Sequence, residues 1–159
     1  MSIGSLPQLD TIAFLRTRFS QSNICIDDET AKYVILVAAD IPHYIQLLAS
    51  EIWQSMINSQ TAVTKAIVDE CAQNLLVLKS DYYMELFDHR SQNQKQLLKA
   101  LTKDNKNIFS ADYIKKHRLS AGSTLQRSVK GLIEEGIIEK RGDEYFIADP
   151  FFWLFVEQN

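Results

Sequence analysis

A chain of 159 residues, 46% of them hydrophobic, has the apolar material for one large core or two small ones, which excludes a disordered segment. Its two cysteines, Cys25 and Cys71, lie far apart without CxxC spacing, and no apolar run reaches the length of a membrane span. A disulfide scaffold and a membrane partner are therefore excluded, and a cytoplasmic protein is expected.

In chain order, the first expected element is a helix over 6–19, with Pro7 in its opening turn and Ile12, Leu15 and Phe19 at helical spacing. Asp27-Asp28-Glu29 supplies an N-cap and favourable carboxylates to a second helix over 30–39, whose nearly continuous apolar residues predict burial. A third helix starts around Pro42, where a missing amide proton costs nothing. It places Ile45, Leu48, Ile52 and Met56 on one face, with Tyr44 and Trp53 flanking. Thr64 is placed to cap a fourth helix through Leu76, and Asp81 a fifth through Phe87. Ser91-Gln92-Asn93-Gln94 fits a capping box, opening a helix with Leu97, Leu98 and Leu101 inward. We expect the domain boundary at that cap, with a helical domain over 1–90 and a second domain over 91–159.

The second domain carries the most specific pattern. Over 110–150 the periodicity is a short helix, a tight turn, a longer amphipathic helix and two short strands joined by a polar turn. That is the order of a winged helix-turn-helix with one β-hairpin, and it makes the whole chain mainly α. In the longer helix Leu125, Val129, Leu132 and Ile133 form the expected buried stripe, leaving Ser123, Thr124, Arg127 and Lys130 outside it. Gly136 stands where a left-handed C-cap residue is wanted, and Arg141-Gly142-Asp143-Glu144 turns the hairpin that forms the wing.

Charge agrees with this division. Residues 1–94 carry six Lys/Arg against eleven Asp/Glu, a net of −5, and residues 95–159 carry eleven against nine, a net of +2. Lys106, Lys115, Lys116, Arg118, Arg127, Lys130, Lys140 and Arg141 lie in or beside the winged helix, interleaved with Glu134, Glu135, Glu139, Asp143 and Glu144. If the chain is a free-standing DNA-binding transcriptional regulator, the turn through Ser123 and Thr124 would enter the major groove, these two and Arg127 reaching base edges or phosphates, with Lys130 a further contact and Lys140 and Arg141 following the adjacent backbone. If the partner is a protein, the same fold serves as an interaction module, because fold alone does not separate the two uses. His117, ending the shorter helix, is expected to interact with the helix dipole, with a phosphate contact as the alternative.

Catalytic chemistry is not evident. The five glycines form no phosphate-cradling loop, the three histidines match no metal spacing, and the chain alone is not expected to be an enzyme. The stretch Ala66-Ile67-Val68-Asp69-Glu70 looks like the acidic strand end of nucleotide hydrolases, but Thr64 caps it as a helix.

Ile41-Pro42-His43-Tyr44-Ile45-Gln46-Leu47-Leu48, with Trp53 on the same helix, resembles a segment in the helical lid of archaeal-type P-loop ATPases, relatives of the AAA+ and STAND groups. The resemblance continues through Gln94 to Leu101, Ser123 to Arg127 and Gly136 to Lys140, and closes at Asp149-Pro150-Phe151-Phe152-Trp153. It implies a carboxyl-terminal portion of such an ATPase, in which residues 1–90 are lid-like. Its partner would be a P-loop nucleotide-binding domain of the same polypeptide, with ATP and magnesium belonging to that parent protein. It further implies weak lid contacts to the nucleotide from Pro42, His43 and Tyr44. One departure stands out: where the family often has glycine two positions before the lid proline, this chain has Asp40.

Overall fold

The computed structural model describes residues 8–59 and 61–159, so the expected helical start at Leu6 and Pro7 lies outside the described residues. The chain divides into two compact units, Met1–Leu78 and Lys79–Asn159.

The first unit holds α1 (Gln8–Ser20), α2 (Asp28–Val37), α3 (Pro42–Met56) and α4 (Lys65–Leu78). Each α1 residue predicted to face inward does so: Ile12, Leu15 and Phe19 are buried. Asp27 caps α2, its carboxylate accepting the Thr30 amide at 2.7 Å. The four apolar residues predicted for one face of α3 are all buried, and α3 packs along α4. Thr64 Oγ1 accepts the Ile67 amide at 3.2 Å, so the acidic stretch over 66–70 is helical and not a strand end. Outside the helices, Val63 N donates to the Cys25 carbonyl at 2.8 Å, tying together the loops that follow α1 and precede α4.

Helix α2 stops at Val37, two residues short of the expected end, because Ala39 and Asp40 both turn left-handed, at φ 55° and 56°. The Asp40 amide reaches back to Ile35 O (2.9 Å) and the Ala39 amide to Leu36 O (3.0 Å), the paired bonds of a Schellman cap closed without glycine. The chain is thereby reversed within a few residues, just before Pro42.

The second unit comprises α5 (Ser80–Asp88), α6 (Gln92–Leu101), α7 (Ala111–Lys116), α8 (Ser123–Glu134), β1 (Ile138–Arg141), β2 (Glu144–Ile147) and α9 (Pro150–Gln158). The Ser91 capping box of α6 forms in both directions: Ser91 Oγ accepts from Gln94 N, and Gln94 Oε1 accepts from Ser91 N, each at 3.2 Å. Helix α6 packs on α8, whose Leu125, Val129 and Leu132 are buried. Ile133, expected in the same stripe, is 39% exposed, since a position one residue past Leu132 rotates about 100° towards solvent. Gly136 takes φ 73° as the left-handed cap, with Ile137 N bonded to Leu132 O at 3.0 Å.

Strands β1 and β2 pair antiparallel from Ile138↔Ile147 to Arg141↔Glu144, and Gly142 at φ 61° leads a two-residue turn of the II′ kind. An isolated bridge beside the hairpin was not expected: Lys106 pairs antiparallel with Glu144, and Tyr145 N donates to Asn105 O at 3.2 Å. The helices and the two-stranded hairpin together form a winged helix-turn-helix.

The boundary falls at Leu78, ahead of the expected cap at Ser91, because α5 belongs to the core of the second unit. Tyr83 on α5 is fully buried, with its ring 5.6 Å from Phe152 and 5.9 Å from Phe155 of α9. Its hydroxyl donates to Asp149 Oδ2 at 2.7 Å, while Asp149 Oδ1 accepts the amides of Phe151 and Phe152 and so caps α9. Asp81, expected to cap α5, does not; the N-cap is Lys79, with no side-chain bond.

Asp149→Ala removes both the α9 cap and the acceptor for a buried hydroxyl. It should lower the unfolding free energy by about 2–4 kcal/mol, whereas Tyr83→Phe, which keeps the cap, should cost about 1 kcal/mol. Urea denaturation followed by circular dichroism reads the difference, and equal losses would contradict the double role.

Candidate nucleic-acid interface

The residues proposed from sequence to touch DNA all fall in the second unit, four on α8 and two on the hairpin, while Pro42, His43 and Tyr44 fall in the first. Helix α8 opens after Gly122, whose φ of 64° and ψ of −133° suit glycine alone, and no side chain caps it. Its first helical bond runs from Gln126 N to Gly122 O at 3.2 Å, so the preceding amides have no intrahelical acceptor. Ser123 is exposed and Thr124 half-buried, its carbonyl accepting from Ser128 Oγ at 3.1 Å. Ser120, at the near end of the turn, donates to Asn93 Oδ1 at 2.9 Å, which attaches the turn to α6.

The structure sorts the six site residues' cations by whether a carboxylate already holds them. Arg127 is exposed and makes no ion pair among the described residues; Lys130 stands 4.0 Å from Glu134. On the wing, Arg141 pairs with Glu139 and lies 5.0 Å above the Phe146 ring, whereas Lys140 pairs with no carboxylate among the described residues and sits 5.8 Å above the Tyr145 ring. Lys106 is paired with Glu144 at 3.3 Å. Such exposed pairs are worth little by themselves, yet each lowers the local field that a phosphate would meet.

Three further cations, Lys115, Lys116 and Arg118, were counted in the basic excess but not among the contacts. All are exposed and make no ion pair among the described residues. Arg118 is the left-handed residue that closes α7, at φ 54°, with Leu119 N bonded to Ile114 O at 2.9 Å. The signal available in the sequence was the run Lys115-Lys116-His117-Arg118 directly before the turn.

His117 departs from the helix-dipole expectation. That interaction would favour the imidazolium, but burial of the ring, then the Lys116 charge, push its pKa below the ordinary value, and Lys103 adds to this against Asp104. Its ring lies 4.3 Å from that of Tyr113, and Nε2 is buried with no hydrogen-bond partner. Tyr113 is itself buried and donates to the Asp104 carbonyl at 2.6 Å; burial pushes its phenol up.

In the first unit, Pro42 and His43 are exposed at the start of α3, and His43 stands edge-on to half-buried Tyr44 with ring centroids 5.0 Å apart. None of the three is a permanent cation, and no group of three or more His, Cys, Asp or Glu that could hold a metal occurs among the described residues.

Residues 81–158 match a family model described as "Probable winged helix domain". The match begins inside α5, in accord with a second unit that starts at Lys79. No curated protein matches the chain. Among the described residues no helix is long and apolar enough to cross a membrane.

His117 makes stability depend on pH. Because its folded-state pKa is depressed, the unfolded chain binds the proton more readily, so stability is lost as pH falls through about 6.5 and the loss levels off below the folded value. His117→Phe should flatten that dependence between about pH 7 and 5 in thermal melts; an unchanged slope would show that His117 is not its source.

Proposed function

We propose that the winged-helix unit, 79–159, binds duplex DNA, with the first turn of α8 in the major groove. The reading rests on one observation: Lys115, Lys116, Arg118 and Arg127, which make no ion pair among the described residues, flank the turn that leads into an uncapped helix N-terminus. Unpaired amides and guanidinium groups are what phosphate oxygens and guanine edges bind. Ser123 would contact the backbone and Arg127 a base or phosphate, with Lys140 following the strand from the wing. Lys130 and Arg141, already paired, would contribute less.

A second reading, that the chain is the lid and winged helix of a P-loop ATPase, is favoured by the backbone at Asp40. That position, often glycine in the resembled family, has the positive φ that glycine takes readily. In this reading Pro42, His43 and Tyr44 would close over an adenine held by a partner P-loop domain. That domain would supply the phosphate and magnesium sites, and the winged helix would relay the nucleotide state to DNA or to a protein.

Fluorescence anisotropy with a random-sequence duplex tests the first reading. Affinity should fall by at least tenfold between about 50 and 200 mM salt, Arg127→Ala should weaken binding by about tenfold, and Arg141→Ala by less than about twofold. Absence of binding at the lower salt would overturn the reading. For the second, an antibody against this chain should detect a native polypeptide larger by roughly one domain, about 150–200 residues. A native band at 18.2 kDa would end it.

A further inference from the structure

Lys140 and Tyr145 are direct cross-strand partners and so share one face of the hairpin. The Lys140 ammonium lies 5.8 Å over the Tyr145 ring, and Phe109 stands edge-on to the same ring, 6.0 Å away at 85°. Tyr145 is buried, while Phe109 is 44% exposed. The buried tyrosine therefore holds two exposed groups beside itself, a phenyl ring and an ammonium that pairs with no carboxylate among the described residues.

Phe109 is not on a free loop. The chain before it is fixed to β2 by Tyr145 N to Asn105 O and by the Lys106 bridge; the chain after it is fixed by Ser110 N to Asn107 O (3.0 Å) and by the Ser110 cap of α7. An aromatic surface held this firmly in water costs hydration free energy that a flat apolar partner would recover.

Elsewhere on the wing the charges cancel in pairs, Lys106 with Glu144 and Arg141 with Glu139, so phosphate attraction there is weak. What remains is the half-exposed Phe109 ring, the Lys140 ammonium and, in the turn, the Asp143 carboxylate; the ring and the cation meet the requirements of a single nucleotide, whose base stacks while its phosphate meets the ammonium. Inside a continuous duplex both faces of a base are already stacked. A base with a free face occurs at an end or a fork.

We propose that the cluster of Phe109, Tyr145 and Lys140 receives an unpaired nucleotide flanking the duplex held by α8, so that the preferred DNA is tailed or forked. This rests on the DNA-binding reading and specifies its substrate class.

The whole chain is titrated against a blunt random-sequence duplex and the same duplex bearing a thymidine tail of about six nucleotides, on either end of a strand. One tail polarity should bind about tenfold more tightly than the blunt duplex, the value of one base–aromatic stack. That ratio should fall only by the share of one phosphate contact as salt is raised, because stacking releases no counterions and the tail adds the Lys140 contact alone. Phe109→Leu keeps apolar packing against Tyr145 but removes the ring, and should abolish the tail preference while leaving blunt binding intact; Phe109→Tyr should retain it. On the wild-type chain, 2-aminopurine at the first unpaired position should change fluorescence on binding. Equal affinity for blunt and tailed DNA, a preference that persists in folded Phe109→Leu, or an unresponsive 2-aminopurine would each overturn the inference while duplex binding stands. Failure to bind either DNA at low salt would overturn the DNA-binding reading together with it.

Discussion

The carboxylate of Asp149 is the point on which the second unit depends. One oxygen caps α9 by accepting two amides, and the other receives the hydroxyl of Tyr83, a side chain with no solvent exposure. A buried hydroxyl without an acceptor costs about 1–3 kcal/mol, so the same carboxylate both starts the final helix and makes burial of α5 tolerable. The aromatic rings then add area: Phe152 and Phe155 pack on Tyr83, and Phe87 meets Phe155 edge-on. Because Asp149 follows β2 directly, with Ala148 N bonded to Ile137 O at 2.9 Å, this anchor also positions the base of the hairpin. The wing is held at its root by packing and extends into solvent only at its tip.

In the first unit the constraint is a backbone one. Two consecutive left-handed residues, neither a glycine, reverse the chain between α2 and α3. An alanine in this conformation costs on the order of 1–2 kcal/mol, and aspartate somewhat less because its short side chain tolerates it. The paired cap bonds, the burial of Ala38 and the proline at the start of α3 offset that cost. The outcome is an abrupt, well-defined entry to α3 that leaves Pro42 and His43 on the surface.

Electrostatically, the winged helix is less uniform than its net charge implies. Carboxylates interleaved in sequence choose particular partners in space: Glu134 takes Lys130, Glu139 takes Arg141, Glu144 takes Lys106 and Glu135 takes Arg90. Among the described residues, Lys115, Lys116, Arg118 and Arg127 around the helix-turn-helix turn have no such partners. The distribution moves the phosphate-binding emphasis from the wing to the turn, and leaves the wing with aromatic surface as its main resource.

The residues by themselves determined the features whose physics acts within about one helical turn. Asp27, Ser91 and Thr64 cap helices because their acceptors reach amides three residues on; Pro42 begins a helix because it needs no donor; Gly136 ends one because it takes a positive φ without strain. Amphipathic spacing and the turn at Gly142 were enough to identify the winged helix. Tertiary structure decided what depends on distant partners. The allegiance of α5 follows from Tyr83 meeting Asp149, and the bridge at Asn105 and Lys106 is too short for any alternation to show and exists only through pairing with β2. Ile133 was misplaced because periodicity places a residue on a helix but not the edge of what packs against it. Which cations are paired, and that Phe109 and Lys140 both meet the Tyr145 ring, are likewise consequences of the fold, since charge pairing and ring contacts depend on proximity in space that sequence spacing does not encode.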